Sequence, residues 1–428
     1  MSESSLEQWL DHLETVHPSR IDLGLGRVTA VADRMGLRDT KARVMIVAGT
    51  NGKGSTVACL EAMFEAAGQR PGSYTSPHLL RFNERIRVNQ APMADALILR
   101  AFAAIESARA EITLTYFEFA TLAAAWCFRE QGADPWILEV GLGGRLDATN
   151  CFDADLAIVT AIGLDHMEWL GNTREAIAGE KMGVARPGCP IICSDSAPPQ
   201  HIAERAAELK SPLWQFGHHF AAQVSEEHWQ WASANQHYSH LPRPDWIADA
   251  AIANAAGAVM AVSGAHSDLY LDESAVRSGL AQARLVGRQQ MIVDGTKRWM
   301  FDVGHNPAAI TLLVERLARE RCDGKIRLAF GLMQRKPLQE LIEKLTKLVD
   351  EWFILDLNES SMHSPQSIRD ALVQVGAFIV GEGDAATAKK VFNARSKAMD
   401  LSVAVGSFKV VEAFMRVDAD ACNRLGTG

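Results

Sequence analysis

No apolar run in this chain reaches the length of about 20 residues that a bilayer-spanning helix needs. The opening ten residues carry Glu3 and Glu7 and no basic cluster ahead of an apolar stretch, so nothing there resembles a secretory signal. Cysteine is sparse: seven in 428 residues suit reduced thiols, not a disulfide framework. Cys189 and Cys193 stand four apart, but no second Cys or His pair nearby completes a zinc site. A basic excess is missing as well. The 43 Lys and Arg face 52 Asp and Glu, a formal net charge of -9, which argues against a general nucleic-acid binder. It leaves room for a local phosphate site built from backbone N–H groups. Internal repeats and low-complexity segments are also lacking. The expectation is a cytoplasmic chain without membrane or nucleic-acid partners.

What is present is core-forming material. Apolar residues make up 48% and charged residues 22%, and the length favours two domains. Trp9, Leu10, Leu13 and Val16 recur at helical spacing, and Pro18 ends that segment. Residues 43–48 read as a short buried strand, followed by a glycine-rich run at 49–54 and a helical pattern over 55–67. Residues 94–110 and 116–131 read as helices. Residues 135–140, 156–162 and 190–194 read as central parallel strands, being almost wholly apolar. Strands alternating with helices predict a mostly parallel sheet covered on both faces. Residues 213–246, with Trp214, Trp229, Trp231 and Trp246 and no helical period, suggest a small β insertion. Helices follow at 249–262 and 273–283. A second, smaller α/β unit begins near Leu285, with strand candidates at 299–303, 326–330, 352–357, 378–380 and 401–405. The expected domains are 1–285 and 286–428.

Gly49-Thr50-Asn51-Gly52-Lys53-Gly54-Ser55-Thr56 is the strongest local signal. Glycines let backbone N–H groups turn onto a polyphosphate, and the helix end behind them adds a favourable dipole. Lys53 suits the β- and γ-phosphates, and Ser55 offers a hydroxyl to Mg²⁺. The run departs from the general phosphate-loop pattern in that Gly54 separates Lys53 from Ser55. Glu139, at the end of an apolar strand, sits where parallel sheets bind ligands, although a loop-solvating acid fits the position too. His166 follows the next strand in the same way, where a structural histidine is the bland alternative.

The form Gly-Thr-Asn-Gly-Lys-Gly-Ser resembles the ATP loop of the Mur ligase superfamily. Further runs resemble its folate branch: His17-Pro18 with Ile21-Asp22-Leu23-Gly24-Leu25, Thr75-Ser76-Pro77-His78-Leu79, the stretch from Glu139 to Asn150, Gly163-Leu164-Asp165-His166, and Asp302-Val303-Gly304-His305-Asn306-Pro307. Gly304 stands where alanine is more usual. The resemblance implies an N-terminal P-loop ATPase domain with a mostly parallel sheet and a smaller Rossmann-like C-terminal domain on the glutamate side of a shared cleft. It implies ATP-dependent addition of L-glutamate to dihydropteroate and to the tails of reduced folates, through an acyl phosphate, by a monomer.

Site roles follow from the same resemblance. Thr50, Asn51, Gly52, Lys53, Gly54 and Ser55, with Asn254, Arg288 and Asp302, would meet ATP. Ser55, Ser76, Glu139 and His166 would hold Mg²⁺, with Lys181 carried as a carbamate. Histidine is an unusual partner for so hard a cation. Asp22, Leu23 and Gly24, then Thr115, Tyr116, Phe117 and Glu118, then Leu146, Asp147 and Ala148 would form the pterin pocket. Lys53, Lys181 and His305 would act in catalysis. Two other readings compete: a related ligase acting on a cell-wall precursor, and a nucleotide-binding switch that ligates nothing.

Overall fold

A computed structural model describes residues 5–19, 21–225, 228–244, 246–320 and 324–424. The chain forms two compact α/β units, Met1–Pro244 with Ala251–Arg284, and Asp245–Ala250 with Leu285–Gly428.

The first unit is built on eight strands: β1 (Val44–Ala48), β2 (Gly72–Tyr74), β3 (Ile86–Val88), β4 (Ala91–Pro92), β5 (Trp136–Glu139), β6 (Leu156–Val159), β7 (Ile191–Cys193) and β8 (Leu213–Gln215). They lie in the order β4-β3-β2-β5-β1-β6-β7-β8. From β2 through β8 every pairing is parallel, and β3 and β4 add an antiparallel edge. All five residues of β1 are buried, as a strand covered on both faces requires. Because β1 lies between β5 and β6, its carboxyl end opens where the chain leaves toward different neighbours, the position at which open α/β sheets bind ligands.

Helices follow their local chemistry. The helix Tyr116–Gln131 starts at a capping box, Thr115 with Glu118, and stops at Gly132 in the left-handed conformation. The helix expected from Ser55 begins two residues earlier, at Lys53, because left-handed Gly52 turns the chain directly into it. The strands expected at 135–140, 156–162 and 190–194 are shorter, since their last residues leave the ladder to form the loops at the sheet edge.

The expected β insertion splits in two. β8 joins the main sheet, while β9 (Phe220–Val224), β10 (His228–Ser233) and β11 (His237–Pro242) make a separate antiparallel sheet; residues 226, 227 and 245 of that stretch lie outside the described residues. Trp229 and Trp231 alternate inward on β10, and the Trp231 indole donates to the Ala256 carbonyl at 3.1 Å, fixing the small sheet to the helix Ile252–Met260.

The second unit has the strands β12 (Gln290–Asp294), β13 (Lys297–Asp302), β14 (Ile326–Phe330), β15 (Glu351–Leu355), β16 (Ile379–Gly383) and β17 (Leu401–Val405), ordered β12-β13-β17-β14-β15-β16. Only β12 runs antiparallel, as one arm of a hairpin with β13. Its half-exposed, mixed composition gave no strand signal in the sequence. Among the described residues, no helix is long and apolar enough to cross a membrane.

Candidate active site

Between β1 and the helix Lys53–Ala66 the backbone makes a tight cradle. Gly49 has φ of 153° and Gly52 of 94°. A methyl group on Gly49 would fall 1.7 Å from the Thr160 hydroxyl oxygen, and one on Gly52 would fall 2.4 Å from the Asn254 amide oxygen, so neither position admits a side chain. Thr160 holds the loop by donating to Asn51 O at 2.8 Å and to Ala48 O at 3.2 Å. Thr50 is fixed at both groups: its N–H donates to Ala161 O at 2.8 Å, and its hydroxyl donates to Gly163 O and accepts from Gly163 N. Lys53, Gly54 and Ser55 occupy the first helical turn, where backbone N–H groups have no partner within the helix, the geometry that suits an anion.

Two lysines meet at this cradle. Lys53 Nζ donates to Gly49 O at 3.0 Å and Thr50 O at 3.3 Å. Lys181, on the helix Arg174–Met182, donates to the same Gly49 O at 2.9 Å and is almost wholly buried. Burial, and then the Lys53 charge, pull the Lys181 ammonium down to a pKa of about 7. A large share of its amine is therefore neutral near physiological pH, the form that can react with CO₂.

Glu139 closes β5, in register with Val47 of β1, and is buried. Its Oε2 accepts from Ser76 N at 3.2 Å, so Ser76 and Glu139 are neighbours at the sheet edge. His166 sits at a left-handed position (φ 51°) before the short helix Met167–Leu170, next to Asp165. Among the described residues, no three His, Cys, Asp or Glu side chains cluster as a metal cage. One buried carboxylate with serine hydroxyls suits a hard cation that keeps water and phosphate oxygens in its shell.

Two carboxylate-centred clusters hold most of the residues expected around a pterin, one at Asp22 and Glu118 and one at Asp147. Asp22 is exposed and pairs with Arg27 at 2.7 Å and His17 at 3.1 Å. Arg27 also reaches Glu118 at 3.2 Å, whose carboxylate caps its own helix by accepting from Thr115 N at 2.7 Å. Glu118 thus ties the start of its helix to Arg27. Asp147 is likewise turned inward: its carboxylate accepts from Gly141 N, Leu142 N, Thr149 N and the Thr149 hydroxyl, stapling the loop that carries Leu146 and Ala148. Burial raises the Asp147 carboxyl above its ordinary range, against the pull of those four bonds. Leu23 and Gly24 are half-buried just before the helix Gly26–Arg34.

Tyr116 and Phe117 line a cleft of about 480 Å³ with Glu14, His17, His78 and Arg85. Arg85 lies 5.4 Å over the Tyr116 ring and donates to His78 Nδ1 at 2.8 Å. Sequence reasoning gave no role to Arg85, Thr160 or, within its quoted run, His78. Arg85 and Thr160 lie outside the quoted motifs, and nothing in their neighbours marks them.

In the second unit, Asp302 ends β13 and is buried, accepting from Gln289 N at 3.1 Å and from Gly304 N. Burial raises its carboxyl, and the Arg288 charge opposes that rise. A methyl group at Gly304 would lie 2.6 Å from Asp302 Oδ1, so the glycine leaves that oxygen room on the backbone. Arg288 stacks 5.6 Å over Phe408. His305 donates from Nδ1 to Val303 O at 2.9 Å, which fixes the ring and makes Nε2 the acceptor nitrogen of the neutral form.

The first unit thus carries a glycine-rich cradle at the end of a parallel strand, and the second an acid and a histidine at a strand end. Residues 47–262 match the Mur ligase middle domain, and residues 287–408 the Mur ligase glutamate ligase domain. A dihydrofolate synthase/folylpolyglutamate synthase of Escherichia coli is 39% identical over 416 residues, covering 97% of this chain and 96% of that one. The Haemophilus influenzae protein of the same name is 36% identical over 433 residues, with 97% and 98% covered. Among solved structures, E. coli FolC in complex with DHPP and ADP superposes with a TM-score of 0.92 at 38% identity, covering 98% and 99% of the two chains. A Yersinia pestis bifunctional folylpolyglutamate synthase/dihydrofolate synthase complexed with AMPPNP and Mn gives 0.91 at 39%, with the same coverage. A structure of that bifunctional name with Mn, AMPPNP and L-glutamate bound gives 0.89 at 39%, again covering 98% and 99%. The chain belongs to the dihydrofolate synthase/folylpolyglutamate synthase family.

Proposed function

We infer that this chain is an ATP-dependent amide ligase that adds L-glutamate to 7,8-dihydropteroate, forming dihydrofolate, and to the glutamate tail of reduced folates. The observation that carries the reading is the convergence of Lys53 and Lys181 on the Gly49 carbonyl, inside a cradle bordered by Ser76 and Glu139. Full-length relatives carry both activities in their names, and related structures hold ADP or AMPPNP, manganese, DHPP and glutamate.

The chemistry is a two-step transfer. The substrate carboxylate attacks the γ-phosphorus of ATP, ADP leaves, and an acyl phosphate forms. The glutamate amine attacks the acyl carbon, the C–O bond to phosphate breaks, and the amine proton is lost as the amide forms. Phosphoryl transfer is chiefly positioning and charge stabilisation. A carboxylate needs no base to attack, but it does need its repulsion from the γ-phosphate offset. Lys53 and the first-turn N–H groups, from Lys53 through Ser55, supply that. Thr50, Asn51 and Gly52 shape the cradle, and Asn254 packs against its inner wall.

Magnesium is the divalent ion we assign: Glu139, Ser55 and Ser76 would hold it with phosphate oxygens and water, and it would neutralise phosphate charge. His166 would join these ligands, and carbamylation of Lys181 would add an anion. Arg288 and Asp302 are assigned to the nucleotide and His305 to the reacting groups. Tyr116 and Phe117 offer flat faces to a pterin ring. Asp22, Leu23 and Gly24 edge the same group, and Leu146 and Ala148 face it from the loop that Asp147 holds. The described cysteines are free thiols, which suits a reducing cytoplasm.

A screen of dihydropteroate, tetrahydrofolate and UDP-linked peptide precursors for labelled-glutamate incorporation tests the reading. Incorporation into the two pterin substrates is expected. Incorporation into the UDP-linked precursor alone would refute it.

A further inference from the structure

Outside the residues already assigned, one buried ion pair stands directly behind the cation-facing turn. Glu61 lies two turns into the helix that begins at Lys53 and is 2% exposed. Its carboxylate accepts from the Ser73 hydroxyl at 2.7 Å, Gln90 N at 3.1 Å, and Arg87 Nη2 and Nε at 2.8 and 3.1 Å. The remaining Arg87 nitrogen, Nη1, donates to the Thr75 hydroxyl at 3.2 Å and to Glu84 O at 3.0 Å. Thr75 opens the loop that Glu84 and Arg85 close, and Thr75 N donates to Arg85 O at 2.9 Å. Glu84 ties the middle of that loop by accepting from Leu79 N, Leu80 N and Arg81 N. The residue after Thr75 is Ser76, whose N–H meets Glu139.

We propose that Arg87 is a positioning residue for the divalent-cation site: through Glu61 and Thr75 it locks the Ser76 turn to the phosphate-loop helix. The proposal rests on the ligase reading only in taking Ser76 and Glu139 as cation-facing. A guanidinium is required because one planar fork must face the carboxylate on one side and the loop on the other. An ammonium at this position keeps the charge that Glu61 needs and loses the second set of bonds. Outer partners of this kind commonly change metal affinity by about 10- to 100-fold.

The test uses Arg87→Lys and Thr75→Val in the full chain. Each would be titrated with Mn²⁺ in the presence of ADP, following the free-ion paramagnetic resonance signal, with thermal melting and glutamate incorporation measured alongside. Both variants are expected to melt near wild type while Mn²⁺ affinity falls about tenfold or more. Should Arg87→Lys fail to fold, Thr75→Val, which removes only the hydroxyl, decides alone. Unchanged Mn²⁺ affinity in a folded Thr75→Val variant would overturn the proposal. Wild-type protein that binds Mn²⁺ with ADP but incorporates no glutamate would overturn the ligase reading and leave the positioning role standing.

Discussion

Lys181 concentrates the physical problem at the level of single residues. Its ammonium is buried beside a second ammonium and faces a carbonyl, so the protein keeps a lysine where its charged form is disfavoured. Folding lowers its pKa from 10.5 to about 7. Below pH 7 both folded and unfolded chains carry the proton, and the full cost of the buried charge is present. Between pH 7 and 10.5 the unfolded chain binds more protons, so stability rises with pH and the cost fades. Lys181→Met should therefore stabilise the protein by roughly 2–4 kcal/mol below pH 7 and by progressively less toward pH 10. Urea denaturation at several pH values checks this. A variant equally or less stable than wild type at pH 6 would mean the ammonium is well solvated or well paired.

The small sheet β9–β11 acts on the site through one element. Trp231 anchors the helix Ile252–Met260, and that helix places Asn254 against Gly52. Trp231→Ala should cost about 3–5 kcal/mol and weaken ADP binding as Asn254 loses its seat. Calorimetric titration with ADP reads the second effect. Stability lost with ADP affinity unchanged would limit the small sheet to a folding role. The tryptophans at 229 and 231 were legible as a β insertion, but their partner was not, because the contact joins residues 25 apart with no motif at either end. The central strands and the phosphate loop were legible for the opposite reason: buried parallel strands are nearly pure hydrocarbon, and a phosphate cradle demands glycines at set positions. β2, β3, β4 and β12 escaped because they are short, or half-exposed at an edge. Asp147 and Glu118 were expected as site residues, but the pattern gave no hint that each carboxylate also ties its own loop. Those bonds join atoms that no sequence motif pairs.

At the scale of the whole molecule, the two α/β units match two Mur ligase domains, and each carries charged side chains at the carboxyl ends of parallel strands. In the first unit the cradle, Lys53, Lys181 and Glu139 gather around the end of β1. In the second, Asp302 and His305 follow the end of β13. This division suits a reaction with three substrates, in which ATP should be spent only when both the pteroate carboxylate and glutamate are available. The most direct measurement is ADP release by the purified full chain with ATP and Mg²⁺, with dihydropteroate and L-glutamate supplied separately and together. Rapid turnover only with both present, one dihydrofolate per ADP, is predicted, with Lys53→Ala slower by about a hundredfold or more yet still folded. ADP release at the same rate without either substrate would contradict the account.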